Sequence, residues 1–386
     1  MRSLREMLTV DADAHVLEPA DLWLRYIEPE YRDRSLQIRV DADGLESLYV
    51  EGRPMRLFHG TLGSLGGIEE TDPEGKRALQ TPGARTYADG CPPGGNDPHA
   101  RLAVMDAEAI DVGLLYPTIG ICWEGAVQDP QLATATTRAY NRWIVDFCST
   151  DPRRLVPVAH ASLLDPDGAA QEVRRARQAG CAGVYLSPDL QARRGRPFDA
   201  PDFDRFFSTV QDLDMPIAFH VVARERPIFA RWSVASDGAT DGVFAFAFLA
   251  IDVMAAFTSM MTLGLFERYP RLRCAVLEAG SNWITAWLGR LDHKFETGGL
   301  PSPLRMRPSD YFRRQCVISA EPDEELTGPV LEHLGYDFMV WASDYPHVDA
   351  SLGVVDEMRS RLAGLPESAQ RKVLGENALR FYRLSR

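Results

Sequence analysis

The most chemically loaded stretch of this sequence is Asp13-Ala14-His15, which closes a short strand-like run that begins at Leu8. On an extended backbone, residues i and i+2 point to the same side, so this carboxylate and imidazole can serve one ion. Three more such runs end on reactive side chains: PIAFH at His220, LRCAVLE at Glu278 and DFMVWASD at Asp344. Carboxylate oxygen with imidazole nitrogen is a donor set for a divalent cation, Zn²⁺ first, with Mn²⁺ or Fe²⁺ as alternatives. Each residue also has a plainer reading. Asp-x-His is common in turns, a single histidine such as His220 is more often a hydrogen-bonded interior or rim group, and Glu278 or Asp344 could cap a following helix. Four run ends of this kind are harder to explain as caps. A buried, unpaired set of carboxylates costs several kcal/mol, and a cation offers them a partner.

Other candidates stand around this set. His347 follows Asp344 by three residues and could orient substrate or donate a proton; a loop contact explains it equally well. His160, within PVAHASL, could line a substrate site or make an internal hydrogen bond. Arg224, four residues after His220, could clamp a substrate carboxylate in bidentate fashion. Trp283 could form part of an aromatic mouth or simply pack. Arg226 is a weaker candidate in a chain rich in arginine.

Positioning such residues takes a scaffold that gathers strand ends. Eight brief β-rich apolar runs occur in order, at residues 8–15, 111–118, 155–163, 182–188, 216–222, 272–280, 315–321 and 337–344. Runs without strict polar alternation suit buried parallel strands. Amphipathic segments separate most of them, over 131–148, 167–179, 202–213, 244–268, 283–295 and 323–334, and two more follow at about 350–362 and 368–382. The alternation predicts an α/β fold, a (β/α)8 TIM barrel in one domain spanning residues 1–386. A doubly wound sheet is the weaker alternative, because no GxGxxG follows the first strand and no GxxxxGK[ST] occurs. Residues 31–98 interrupt the repeat after the first strand. They open with a hairpin over 36–50, built on Asp43-Gly44, and continue into a Gly/Pro-rich stretch expected to lie over the barrel mouth.

Composition narrows the partners. Fifty-five acidic residues against 42 basic ones give a net charge of −13, which disfavours nucleic acid and anionic membrane surfaces. Only three lysines occur, Lys76, Lys294 and Lys372, and none ends a strand-like run, so a Schiff-base lysine has no convincing candidate. Six dispersed cysteines without a CxxC pair do not form a disulfide framework. The first residues are too polar for a secretory signal, and the apolar stretch 242–265 is interrupted by Asp252. The expectation is a cytoplasmic protein acting on a small organic molecule, with a homo-oligomer compatible.

The order of motifs resembles the amidohydrolase superfamily. More narrowly it is similar to the amidohydrolase-2 group, which includes aminocarboxymuconate-semialdehyde decarboxylase-like metal-dependent hydrolases and hydroxybenzoate decarboxylase relatives. DADAH, DPHARLAVMDAEAIDVGLLYPT, DPDGAAQEVRRARQAGCAGVYLSP, the FH at His220, YPRLRCAVLEAGSNWITAWLGRLD, WASDYPH and GENALRFYRL carry the likeness over nearly the whole chain outside residues 39–98. The resemblance implies a barrel with a divalent metal held by Asp13, His15, His220 and Asp344, with Asp344 also transferring a proton. Many relatives carry a histidine at the end of strand six, where this chain has Glu278-Ala279-Gly280.

That departure weighs against decarboxylation. The leading expectation is therefore a metal-dependent hydrolase acting on a carbonyl, ester, amide, lactone or activated carbon–carbon substrate. Metal-activated water attacks, Asp344 acts as base, and Glu278 or His347 assists the departing group. Glu278 is read as an acid/base or outer-shell group, with direct ligation as the alternative. A non-oxidative decarboxylase of an aromatic or unsaturated carboxylic acid is the second reading, and a non-catalytic metabolite-binding barrel the third.

Overall fold

The structure, a computed structural model, describes residues 7–224, 239–299 and 303–385. Its strands in chain order are β1 (Val10–His15), β2 (Gln37–Val40), β3 (Glu46–Val50), β4 (Arg53–Pro54), β5 (Val112–Tyr116), β6 (Leu155–Ala161), β7 (Gly183–Leu186), β8 (Ile217–Phe219), β9 (Cys274–Val276), β10 (Cys316–Ala320) and β11 (Met339–Trp341). Eight of them form one parallel sheet in the order β1-β5-β6-β7-β8-β9-β10-β11, with helices between successive strands. Each of these eight falls within one of the apolar runs read from the sequence.

The sheet curls until its first and last strands meet. At that seam Asp344 N–H donates to Asp13 O (3.1 Å) and His15 N–H to Tyr345 O (2.7 Å). The buried Asp11 carboxylate accepts from Ser343 N–H (3.0 Å) and from the Ser343 hydroxyl. The result is a nearly closed (β/α)8 barrel whose strand C-termini share one mouth. Side chains such as Val10, Ala12, Leu114, Val158, Ala218, Ala275, Val317 and Val340 fill its interior. The alternate rows of the strands pack outward against the helices.

A repeated local device starts several helices. Asp72-Pro73, Asp97-Pro98, Asp129-Pro130 and Asp165-Pro166 each place an aspartate at the N-cap, accepting backbone N–H groups, and a proline in the first turn. Proline there loses no intrahelical bond, and the aspartate satisfies donors the helix leaves open.

The interrupting segment departs in detail from its expected form. The hairpin gains β4 as a third strand, and a helix, Pro73–Leu79, lies within the Gly/Pro-rich stretch. The glycines there allow backbones to touch: a Cβ on Gly90 would stand 2.1 Å from Gly63 O, and one on Gly63 would stand 2.4 Å from Arg85 O. This segment also contacts the loops after β1 and β11. Leu17 N–H donates to Gly95 O (2.8 Å), the Tyr87 hydroxyl to Glu18 O (2.8 Å), and the Tyr345 hydroxyl to Pro93 O. The helix expected over 244–268 is two helices, Ala239–Thr262 and Leu265–Arg268, parted at Gly264 with its φ of +77°. The last helix is broken by a π turn over Lys372–Glu376. No helix among the described residues is long and apolar enough to cross a membrane.

Candidate metal centre

The mouth of the barrel concentrates buried polar groups. On β1 the ladder with β5 slips between Asp11 and Ala14, so that three residue steps on β1 match two on β5. This bulge lies beside Asp13 and re-aims the strand end. Glu278 and Asp344 both have left-handed backbones, with φ of 46° and 53°. Non-glycine residues pay for that conformation, and such strain concentrates at functional sites. In each case the turn follows directly on a barrel strand and swings a carboxyl group into the mouth.

Two overlapping groups of donor atoms result: Asp13, His15 and His220, and His15, Glu278, Asp344 and His347. Within each, the atoms lie within 4.8 Å of one another. His15 Nε2 stands 3.5 Å from Asp13 Oδ1 and 3.6 Å from Asp344 Oδ1. His220 Nε2 stands 3.8 Å from Asp13 Oδ2 and 2.5 Å from Glu278 Oε2. The structure thus brings together Asp13, His15, His220, Glu278, Asp344 and His347.

The other nitrogen of each site histidine is held from behind. His15 Nδ1–H donates to Pro117 O (2.9 Å) and His220 Nδ1–H to Val221 O (2.8 Å), which turns both Nε2 lone pairs into the mouth. His347 bridges Asp344 Oδ1 (2.6 Å) and the Thr118 hydroxyl (2.9 Å). Behind these sits Glu18, a buried carboxylate absent from the expected set. It accepts from the N–H groups of Thr118, Ile119 and Gly120, the last two at 2.9 Å. Glu18 thereby fixes the turn that carries Pro117 O and the Thr118 hydroxyl. Its only sequence signal is its place three residues after His15, ahead of Pro19.

Protons respond to this crowding. Burial pushes the Asp13 carboxyl up to about 8, helped by the nearby Glu278 and Asp11 charges. Burial opposes a charge on His220, yet the Glu278 and Asp13 carboxylates lift it to about 10. His15 lies well below the usual imidazole range, because it is buried beside two other imidazoles. Burial and Glu278 hold Asp344 well above the usual carboxylate range. Three atoms here are buried without a hydrogen-bond partner, both Asp13 oxygens and His15 Nε2, while His220 Nε2 and Glu278 Oε2 face each other at 2.5 Å. Such atoms are costly in an interior. Two imidazole nitrogens among carboxylate oxygens fit a divalent cation, which would take the place of the His220 proton and give Asp13 and His15 their missing partner.

The remaining expected residues fall elsewhere. Arg224 is seated on two buried carboxylates, Asp189 (2.7 Å) and Asp252. Its charge is already matched, which does not favour a free clamp for a substrate carboxylate. His160 is buried and paired with Glu124 (2.8 Å). Trp283 opens the helix Trp283–Glu296 and packs on Phe257, ring centroids 6.2 Å apart. Arg226 lies outside the described residues.

Comparison with known proteins gives this geometry a family: a model described as amidohydrolase matches residues 10–384. The chain belongs to the amidohydrolase family. It is 26% identical to the gamma-resorcylate decarboxylase of Rhizobium radiobacter over 266 residues, 64% of this chain and 76% of that protein. An amidohydrolase from Mycobacterium avium subsp. paratuberculosis K-10 superposes with a TM-score of 0.81 at 23% identity, covering 98% of this chain and 99% of its own. The 5-carboxyvanillate decarboxylase of Novosphingobium aromaticivorans, solved with manganese and 4-hydroxy-3-methoxy-5-nitrobenzoic acid, has a TM-score of 0.68 at 21% identity, covering 98% and 97%.

These relatives overturn the expectation of a hydrolase, since the curated ones are named as decarboxylases. The expectation rested on the absent strand-six histidine. At that strand end this chain has Glu278, whose carboxylate stands 2.5 Å from His220 Nε2.

Proposed function

We propose that this enzyme is a divalent-metal-dependent, non-oxidative decarboxylase of an aromatic carboxylic acid with a hydroxyl beside the carboxyl group. The observation that carries the reading is the Asp344–His347–Thr118 chain set against the unpartnered Asp13 oxygens and His15 Nε2, within a family with curated relatives that are decarboxylases.

Asp13, His15, His220 and Asp344 would hold the ion, which we take to be Mn²⁺ or Zn²⁺, with Glu278 next to His220. When bound, the cation supplies positive charge at which the anionic oxygens of the substrate assemble. The protein's own task is proton delivery. Asp344, held above its ordinary range by burial and by Glu278, is the group that would give a proton to the ring carbon that bears the carboxylate. The ring–carboxyl bond then breaks, its electron pair returns to the ring, and CO₂ leaves. One proton is consumed and one hydrogen replaces the carboxyl group. His347, 2.6 Å from Asp344 Oδ1, orients that carboxyl group and can return a proton to it through its link to Thr118. The segment 31–98 covers part of the mouth in this reading and limits water at the reacting carbon.

The test is incubation of Mn²⁺-reconstituted protein in D₂O with carboxyl-¹³C 2-hydroxybenzoates. Labelled CO₂ and one deuterium at the vacated carbon are expected. Oxygen from labelled water entering an acid product, with no CO₂ released, would contradict it.

A further inference from the structure

Native interiors leave few buried polar side-chain atoms unpartnered, so a concentration of them marks a place where something else binds. Among the described residues the metal centre is one such concentration. A second lies on β6, β7 and the loop after β5. There Trp123 Nε1, Glu124 Oε2 and His160 Nδ1 are buried without a hydrogen-bond partner, beside the buried Tyr185 hydroxyl, which neighbours Ser187. His160 is 1% exposed and Glu124 4%. The His160 ring lies 5.6 Å from that of Trp123 and 4.9 Å from that of Tyr185. One bond holds the group internally, His160 Nε2 to Glu124 Oε1 at 2.8 Å.

Strand geometry relates this group to the metal centre. Val156 and Val158 fill the barrel interior, and alternation continues their inward row to His160; on β8, Ala218 leads in the same way to His220. His160 pairs with Tyr185, and Tyr185 with Ala218, so two strand spacings separate His160 from the His220 row. That is roughly 10 Å along the barrel wall, about the reach of one substituted aromatic ring.

The free atoms specify a ligand. With Nε2 engaged by Glu124, His160 presents Nδ1, and Glu124 Oε2 accepts. Trp123 Nε1–H only donates, and the Tyr185 hydroxyl can do either. A group that both donates and accepts satisfies this set. A second carboxylate would bring acceptors only, against the Glu124 charge, and an ammonium would leave the indole N–H unmet.

We propose that Trp123, Glu124, His160 and Tyr185 form a second pole of the substrate site, which binds a hydroxyl carried at the end of the substrate remote from the departing carboxyl group. The mention of that carboxyl group rests on the decarboxylase reading, whereas hydroxyl recognition stands by itself.

Calorimetric binding to the Mn²⁺-loaded protein tests it, with 2-hydroxybenzoate against its 4- and 5-hydroxy derivatives and against 2-hydroxyterephthalate. At least one added hydroxyl should tighten binding about tenfold or more, and the remote carboxylate should weaken it. His160→Phe and the isosteric Glu124→Gln should each bring the hydroxylated ring down to the level of 2-hydroxybenzoate while metal content stays at the wild-type value. Glu124→Gln keeps the side-chain shape, so it reports even where His160→Phe does not fold. The proposal is overturned if the wild type shows no preference for an added hydroxyl, no binding included, or if the preference survives in Glu124→Gln. Carbon dioxide release is scored separately. Discrimination without CO₂ would sink the decarboxylase reading alone, and CO₂ without discrimination would sink the second pole alone.

Discussion

A divalent cation entering this site has to displace protons, and the structure sets how many. In the metal-free protein burial near other carboxyl groups pushes Asp13 up to about 8, and the facing Glu278 and Asp13 carboxylates lift His220 to about 10. Both must be deprotonated to ligate. At pH 7 most Asp13 and nearly all His220 side chains carry a proton, and Asp344 is raised as well, so loading one ion should release two or more. Each displaced proton makes affinity depend tenfold on each pH unit, or about 1.4 kcal/mol. The Mn²⁺ association constant should therefore rise about a hundredfold or more between pH 6 and 7. Calorimetry in buffers of different ionisation enthalpy reads the proton count directly, and a series from pH 6 to 7.5 reads the slope. Glu278→Gln removes the charge that lifts His220 and should lower the count by up to about one. An affinity flat across this range, with fewer than about half a proton released, would refute the assignment of Asp13 and His220 as ligands.

Three further outcomes are expected. Asp344→Asn should fold with unchanged melting temperature within a few degrees but lose at least about a hundredfold in CO₂ release; wild-type turnover would remove Asp344 as proton donor. Glu18→Ala frees the 117–120 turn, so Mn²⁺ affinity should fall about tenfold or more through the misdirected His15, and an unchanged dissociation constant would show that the turn holds its place without Glu18. Gly90→Ala forces a Cβ into Gly63 O and should cost about 3 kcal/mol by denaturant unfolding, whereas wild-type stability would mean that the two backbones part easily.

The barrel was legible because its strands are buried on both faces and read as short apolar runs, each ending where chemistry is placed. Asp13, His15, His220, Glu278, Asp344 and His347 could be picked out for the same reason: a charged or imidazole side chain at or just past the end of an apolar run is conspicuous. Partners contributed by distant loops were not legible. Arg224 looks available in the sequence, and only the fold brings Asp189 and Asp252 to it. Glu124 and Glu18 sit in loops with no periodicity to mark them, although each engages a site or pocket histidine, directly or through a turn. The left-handed turns at Glu278 and Asp344 carry no glycine signal, since non-glycine residues adopt them here. The helix Pro73–Leu79 was missed because it is short and lacks an apolar face, though Asp72-Pro73 signals its start. Bond choice was illegible for a chemical reason. A carboxylate–imidazole site around a cation suits both water activation and proton delivery to carbon, and relatives had to separate the two.

The central claim is that one cation gathers the ends of β1, β8 and β11. The most direct measurement is anomalous diffraction at the manganese edge from Mn²⁺-soaked crystals. One peak is predicted, within about 2.0–2.3 Å of donor atoms from Asp13, His15, His220 and Asp344. Full manganese occupancy at any other place, with these four side chains still joined only to protein, would contradict it.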